Sequence, residues 1–122
     1  MHFERDLASE ANAIVGCSDG QLRLRAGAYT SSVIVTRDRI IDDWRPAPLD
    51  HLSIEDFSVL LEAPPEVLLL GTGPSQRMPP PALFAAFAAR GIGLEAMDNR
   101  AACRTYNLLL SEYRNVAAAI LL

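Results

Sequence analysis

The residues whose types and spacing invite chemistry lie in the second half of the chain, where Gly71-Thr72-Gly73 follows the apolar run Val67-Leu68-Leu69-Leu70. A glycine loop ending a buried strand lets backbone amides approach an anion, and the next helix N-terminus adds partial positive charge. The loop does not complete a dinucleotide fingerprint: a third glycine is missing, and Pro74 with Pro79-Pro80-Pro81 delays the following helix. The plainer reading is that both glycines permit a tight exit from the strand. Arg77 and Arg100 would grip a carboxylate or phosphate through paired hydrogen bonds, although each also reads as a solvated surface charge. Asp98 would oppose an anion unless it caps a helix. If the strands ending at Leu70 and Met97 are parallel, their loops emerge at one edge and residues 71–77 meet residues 98–100. The candidate ligand-binding set is therefore Gly71, Thr72, Gly73, Arg77, Asp98, Asn99 and Arg100.

Composition removes several alternatives. The eleven basic residues are all arginine, and without lysine there is neither a Schiff-base amine nor a Walker A loop. His2 and His51 stand far apart without paired cysteine spacings, so no metal site is expected. His51 beside Asp50 is no acid–base pair, because adjacent side chains diverge and no GxSxG nucleophile motif accompanies them. No catalytic residue and no cofactor is assigned. Cys17 and Cys103 lack CxxC partners and read as reduced packing residues. A net charge of -4 argues against nucleic acid as a partner. The longest apolar stretches, over residues 67–70 and 116–122, fall well short of the ~20 residues that span a bilayer. Charges at Glu4, Arg5 and Asp6 interrupt any secretory core, so a cytoplasmic location is expected.

The elements that must position these residues change character midway. Half of the 122 residues are hydrophobic and 21% are charged, a balance that predicts one ordered domain over residues 1–122. Residues 12–17, 21–25, 32–35 and 40–41 read as short strands; Leu22 and Leu24 alternate with Arg23 and Arg25, and Gly27 breaks the run. The spacing predicts an antiparallel meander, closed at Pro46 and Pro48. Ser53, with Asp56 three residues on, predicts a short amphipathic helix carrying Ile54, Phe57, Leu60 and Leu61. Trp44 reads as a core anchor. From Glu66 onward strand alternates with helix: residues 67–70, a helix opened by Pro79-Pro80-Pro81, a strand over 92–97, a helix from Asp98 or Asn99 to about Asn115, and a closing strand over 116–122. Helix-length crossovers imply parallel neighbours. On the last helix, Arg100, Arg104, Asn107, Ser111 and Arg114 form a polar stripe, with Leu108 and Tyr113 on the opposite arc. Glu112 falls on that apolar arc, where a carboxylate needs a partner. Thr105, Tyr106, Asn107 and Glu112 read as a structural polar network.

Several of these residues, taken in order, resemble a known family. They are the run from Val67 through Gly71-Thr72-Gly73 to Pro79, then Gly91-Ile92, Glu95-Ala96-Met97, Ala101, Thr105-Tyr106-Asn107, Glu112 and Arg114, Val116 and Ala117. Upstream, Phe3, Ile14, residues 27–35 and Trp44 fit more loosely. The set is similar to the uncharacterised archaeal and bacterial Mth-type domain family that also contains the mitochondrial complex I assembly factor and the adipogenesis-associated Mth-domain protein. The resemblance implies an α/β fold of three layers: a central mixed sheet flanked by helices, with an additional antiparallel β layer from the N-terminal half. It implies no reaction, and it points to a non-enzymatic protein-binding or assembly-type module whose partner is another protein. The alternative is a protein or enzyme that binds a small anionic ligand at residues 71–77 and 98–100. Self-association through exposed strands of the β section is a further expectation.

Overall fold

Leu22 and Leu24 alternate with arginines, and in the computed structural model, which describes residues 11–122, this pattern forms strand β2 (Gln21–Leu24), with both leucines buried. The charged run over residues 1–7, including His2 and Phe3, lies outside the described residues. β1 (Ile14–Ser18) pairs antiparallel with β2 across the Asp19-Gly20 turn. β3 (Gly27–Tyr29) pairs on the other side of β2, with Leu24 opposite Gly27. The run does end before Gly27, but Gly27 also starts a further strand: its φ of 153° suits glycine, and the chain turns within two residues, Arg25 and Ala26.

The second sheet has five strands in the order β5 (Ile40–Ile41), β4 (Val33–Thr36), β8 (Val116–Ile120), β6 (Val67–Gly71) and β7 (Gly93–Met97). β6 lies parallel to both β7 and β8, whereas β4 is antiparallel to β8 and to β5, so the sheet is mixed. The N-terminal half is thus divided between two sheets instead of forming one meander. The reason is visible in β4, whose Val33, Ile34 and Val35 are all fully buried, as suits a strand covered on both faces.

Two helices follow the proline run, α1 (Pro81–Ala88) and α2 (Asn99–Ser111). One face of the five-stranded sheet packs Val33, Val35, Leu69 and Ala118 against Ala102 and Tyr106 of α2 and Leu22 and Leu24 of the small sheet. The opposite face packs Ile34, Leu68 and Leu70 against Trp44, Phe57, Leu83 and Phe87. This is the expected three-layer α/β architecture. Each fully buried leucine contributes about 1.5–3 kcal/mol relative to exposure.

Three local expectations are corrected. Residues Ile54–Leu60 form a 3₁₀ segment, kinked at Phe57, instead of an amphipathic α-helix. The Trp44 indole N–H donates to the Asp56 carbonyl at 2.7 Å, the acceptor that an α-helix would present to Leu60. The Asp56 carboxylate meanwhile accepts from the backbone N–H groups of Ser53 at 3.0 Å and Ala47 at 3.1 Å. Second, α2 ends at Ser111 instead of near Asn115. Tyr113 (φ 60°) occupies the left-handed position usually held by glycine; its N–H donates to Leu110 O and that of Arg114 to Leu109 O, both at 3.0 Å, which is a Schellman closure. Arg114 therefore lies beyond the helix. Third, the arc opposite the polar stripe is not wholly covered: Leu108, Glu112 and Tyr113 are exposed.

Candidate functional site

Gly71 closes β6 where α2 begins, and its neighbours account for it. A Cβ at Gly71 would collide with Asn99 Oδ1 and lie 2.9 Å from Ile120 Cδ1. Its φ is not positive, so the demand for glycine is one of space. The Asn99 side chain that occupies this space is buried and fully engaged: Oδ1 accepts from the Gly73 N–H at 3.0 Å and Nδ2 donates to Leu121 O at 2.9 Å. Its own N–H donates to Gly73 O at 2.8 Å. One asparagine thus binds the ends of β6 and β8 to the start of α2.

The rest of the loop is tied as closely. The Thr72 hydroxyl donates to Ser75 O at 2.8 Å and accepts from the Arg77 N–H at 3.0 Å, while the Thr72 N–H donates to Met97 O at 2.9 Å. Gln76 Nε2 donates to Ala96 O at 2.9 Å. Gly73 has a φ of 106°, which suits glycine, so the two glycines serve different needs, contact at 71 and conformation at 73. Asp98 is the N-cap of α2, its Oδ1 accepting from the Ala101 N–H at 2.9 Å.

Residues 71–77 and 98–100 therefore meet at one edge of the sheet. A cavity of about 1120 Å³ opens there, and Thr72, Gly73, Arg77, Asp98, Asn99 and Arg100 line it; Gly71 lies behind the wall. Its remaining walls come from the β1–β2 turn, the segment entering β4 and the stretch containing Trp44. Arg45, on that last stretch, is a third guanidinium at the cavity and was missed from sequence, because nothing local to Trp44-Arg45-Pro46 announces a contact with the far half of the chain. Arg77 pairs with exposed Asp50 at 3.7 Å. Arg45 and Arg100 form no ion pair among the described residues.

The polar residues of α2 face elsewhere. Tyr106, fully buried, donates its hydroxyl to Asn12 O at 2.8 Å, and burial pushes its phenol well above the ordinary value. Asn107 accepts from the Ile14 N–H and donates to Ile14 O, both at 2.8 Å, so its amide stands in for a neighbouring strand at the edge of β1. Thr105 Oγ1 lies 3.6 Å from Met97 Sδ, and exposed Glu112 is the C-cap of α2, outside this set. Cys17 packs beside buried Cys103, both are free thiols, and burial followed by the nearby Cys17 pushes the Cys103 thiol up. Among the described residues no cluster of three His, Cys, Asp or Glu side chains could hold a metal ion. No helix among them is long and apolar enough to cross a membrane.

The profile of a family described as "Protein of unknown function (DUF498/DUF598)" matches residues 14–121. A "13 kDa major membrane protein" of Francisella tularensis is 32% identical over 108 residues, which cover 84% of each chain. The "NADH dehydrogenase [ubiquinone] 1 alpha subcomplex assembly factor 3" of Danio rerio is 38% identical over 80 residues, 64% of this chain and 46% of that protein. A solution structure of a Bordetella pertussis protein, described as a Mth938-like domain, superposes with a TM-score of 0.74 at 27% identity, covering 90% of this chain and 85% of that one.

Proposed function

This chain belongs to the DUF498/DUF598 family of proteins of unknown function, and on that premise we propose that it is a non-enzymatic, protein-binding module of the assembly-factor type, working in the cytoplasm. The observation that carries the reading is the 38% identity with the Danio rerio protein named as an assembly factor. That match spans less than half of the relative's length, so the respiratory complex is not carried over and the partner proposed is another protein.

The surface supports this reading. Among the described residues four large apolar side chains are prominently exposed, and three of them, Val15, Leu108 and Tyr113, belong to β1, α2 and the turn that closes α2. Val15 and Leu108 are each the chain neighbour of a residue in the Ile14–Asn107 hydrogen-bonded pair, so they flank one seam. Tyr113 holds a left-handed conformation that costs a side-chain-bearing residue about 1–2 kcal/mol, and Arg37 lies over its ring, 5.5 Å from the centroid. Exposed apolar side chains on adjoining elements are available to a protein partner.

The test is a native pull-down with the tagged full chain from the source cell, read by quantitative mass spectrometry beside the Val15→Glu/Leu108→Glu double variant. Wild type is expected to retain a reproducible protein partner, and the variant, with an unchanged melting temperature, to lose about tenfold or more of it. Failure of wild type to retain any reproducible partner would count decisively against a protein-binding module.

A further inference from the structure

We propose that the cavity at the carboxyl ends of β6 and β7 binds a small organic anion bearing carboxylate or phosphate groups, clasped by Arg45, Arg77 and Arg100. The proposal is independent of the protein-binding reading, which rests on the seam between β1 and α2.

Three observations carry it. The cavity, an open cleft of about 1120 Å³, has room for a metabolite, and one wall belongs to the small sheet while the other belongs to the parallel strand ends. The three guanidiniums come from separate segments, the stretch after β5, the loop after β6 and the first turn of α2. In a chain of net charge -4, three arginines line this cavity against two aspartates, Asp19 and Asp98. Asp98 is turned into its own helix, its Oδ1 taken by the Ala101 N–H. The cap engages one Asp98 oxygen at the helix start, and Arg45, Arg77 and Arg100 are the cations that line the cavity.

The polar groups of the loop are likewise committed to the scaffold. Asn99 and the Thr72 hydroxyl have their partners within the protein, so they shape the floor without binding a guest. Arginine's planar, five-donor fork suits an oxyanion, and its charge persists at any physiological pH. Arg77 is held to exposed Asp50 by a long contact of 3.7 Å, which solvent screens and an incoming anion can replace. The volume leaves room for an organic frame beside the anionic groups.

The probes are inorganic phosphate and malonate, each at about 10 mM, with sodium chloride at matched ionic strength as reference. The full chain is expected to melt about 5 °C higher with at least one probe, a shift that Arg45→Gln, Arg77→Gln and Arg100→Gln each diminish and the triple variant abolishes. Phosphate alone raising the melting point assigns a phosphoryl group, and malonate alone a carboxylate. Arg90→Gln, at an exposed residue after α1, is expected to keep the full shift. No shift with either probe would overturn the proposal. So would a shift that survives in the triple variant, since excluded kosmotropic anions stabilise proteins without binding any site. Amide resonances of Gly73 and Arg100 that move on titration in wild type but not in the triple variant are the second required readout, and stationary ones would overturn the proposal.

Discussion

The sharpest test of the loop architecture is Gly71→Ala. Because φ at Gly71 is not positive, alanine fits the backbone, and lower chain entropy in the unfolded state would by itself favour the variant by about 0.4–1 kcal/mol. Sterics decide the sign. The new methyl would occupy the position of Asn99 Oδ1 and press on Ile120 Cδ1 at 2.9 Å. Overpacking of this kind costs about 1–3 kcal/mol. If Asn99 is displaced, the Gly73 N–H and Leu121 C=O lose their partners, at about 1 kcal/mol or more each. The net expectation is a loss of about 2–3 kcal/mol. At about 2.1 cal/mol/K per residue, the unfolding entropy of this chain is roughly 0.25 kcal/mol/K, so the melting temperature should fall by about 8–12 °C. Urea unfolding of Gly71→Ala, Asn99→Ala and the double variant completes a cycle. With Asn99 truncated only the flexible end of Ile120 must still shift, so Gly71→Ala should then cost less than about 1 kcal/mol, leaving a coupling of about 1.5 kcal/mol. Additivity of the two changes within about 0.5 kcal/mol would refute the claim that Asn99 is why residue 71 is glycine.

Two further outcomes follow from the buried face of α2. Cys103 and Tyr106 are held in their neutral forms by burial, while in the unfolded chain they ionise near about pH 8.5 and 10. Above these values the unfolded state releases protons that the native state keeps, so stability falls as pH rises, by about 1.4 kcal/mol per pH unit for each group. Urea unfolding at stepped alkaline pH should show that decline, and Cys103→Ala or Tyr106→Phe should each remove about one such increment of slope; an unchanged slope in both variants would contradict it. Brief alkylation of the native protein should label half-buried Cys17 well before buried Cys103, with both labelled after unfolding, as peptide mass spectrometry would record. Equal native labelling would show that the Cys103 site opens readily.

Some of this fold can be read directly from the chain. Val67-Leu68-Leu69-Leu70 is uninterrupted because β6 is central and covered on both faces, and Leu22 and Leu24 alternate because β2 is covered on one. Asp98 announces the helix it caps. Where the reading fails, the deciding partner is distant. The 3₁₀ segment at Phe57 follows from an indole twelve residues earlier, and β4 leaves the first meander because β8, at the far end of the sequence, pairs with it. The end of α2 is set by a tyrosine in a conformation that normally advertises itself through glycine.

The candidate site shows the same division with a functional consequence. Seven residues at two loops suggested a ligand edge, and the structure brings the loops together, but it gives the residues unequal tasks. Gly71 provides room, Asn99 and Thr72 hold the strand ends, and Asp98 caps its helix. Arg77 and Arg100 are left facing the cavity, joined by Arg45 from a segment with no sequence signal. The glycine loop therefore acts on a ligand only indirectly, by holding the start of α2 close enough to the end of β6 for guanidiniums from separate segments to share one opening. A backbone phosphate cradle would be indifferent to the arginines; this cavity should not be, with Arg100→Gln diminishing binding and the triple arginine variant abolishing it in a chain that melts like wild type.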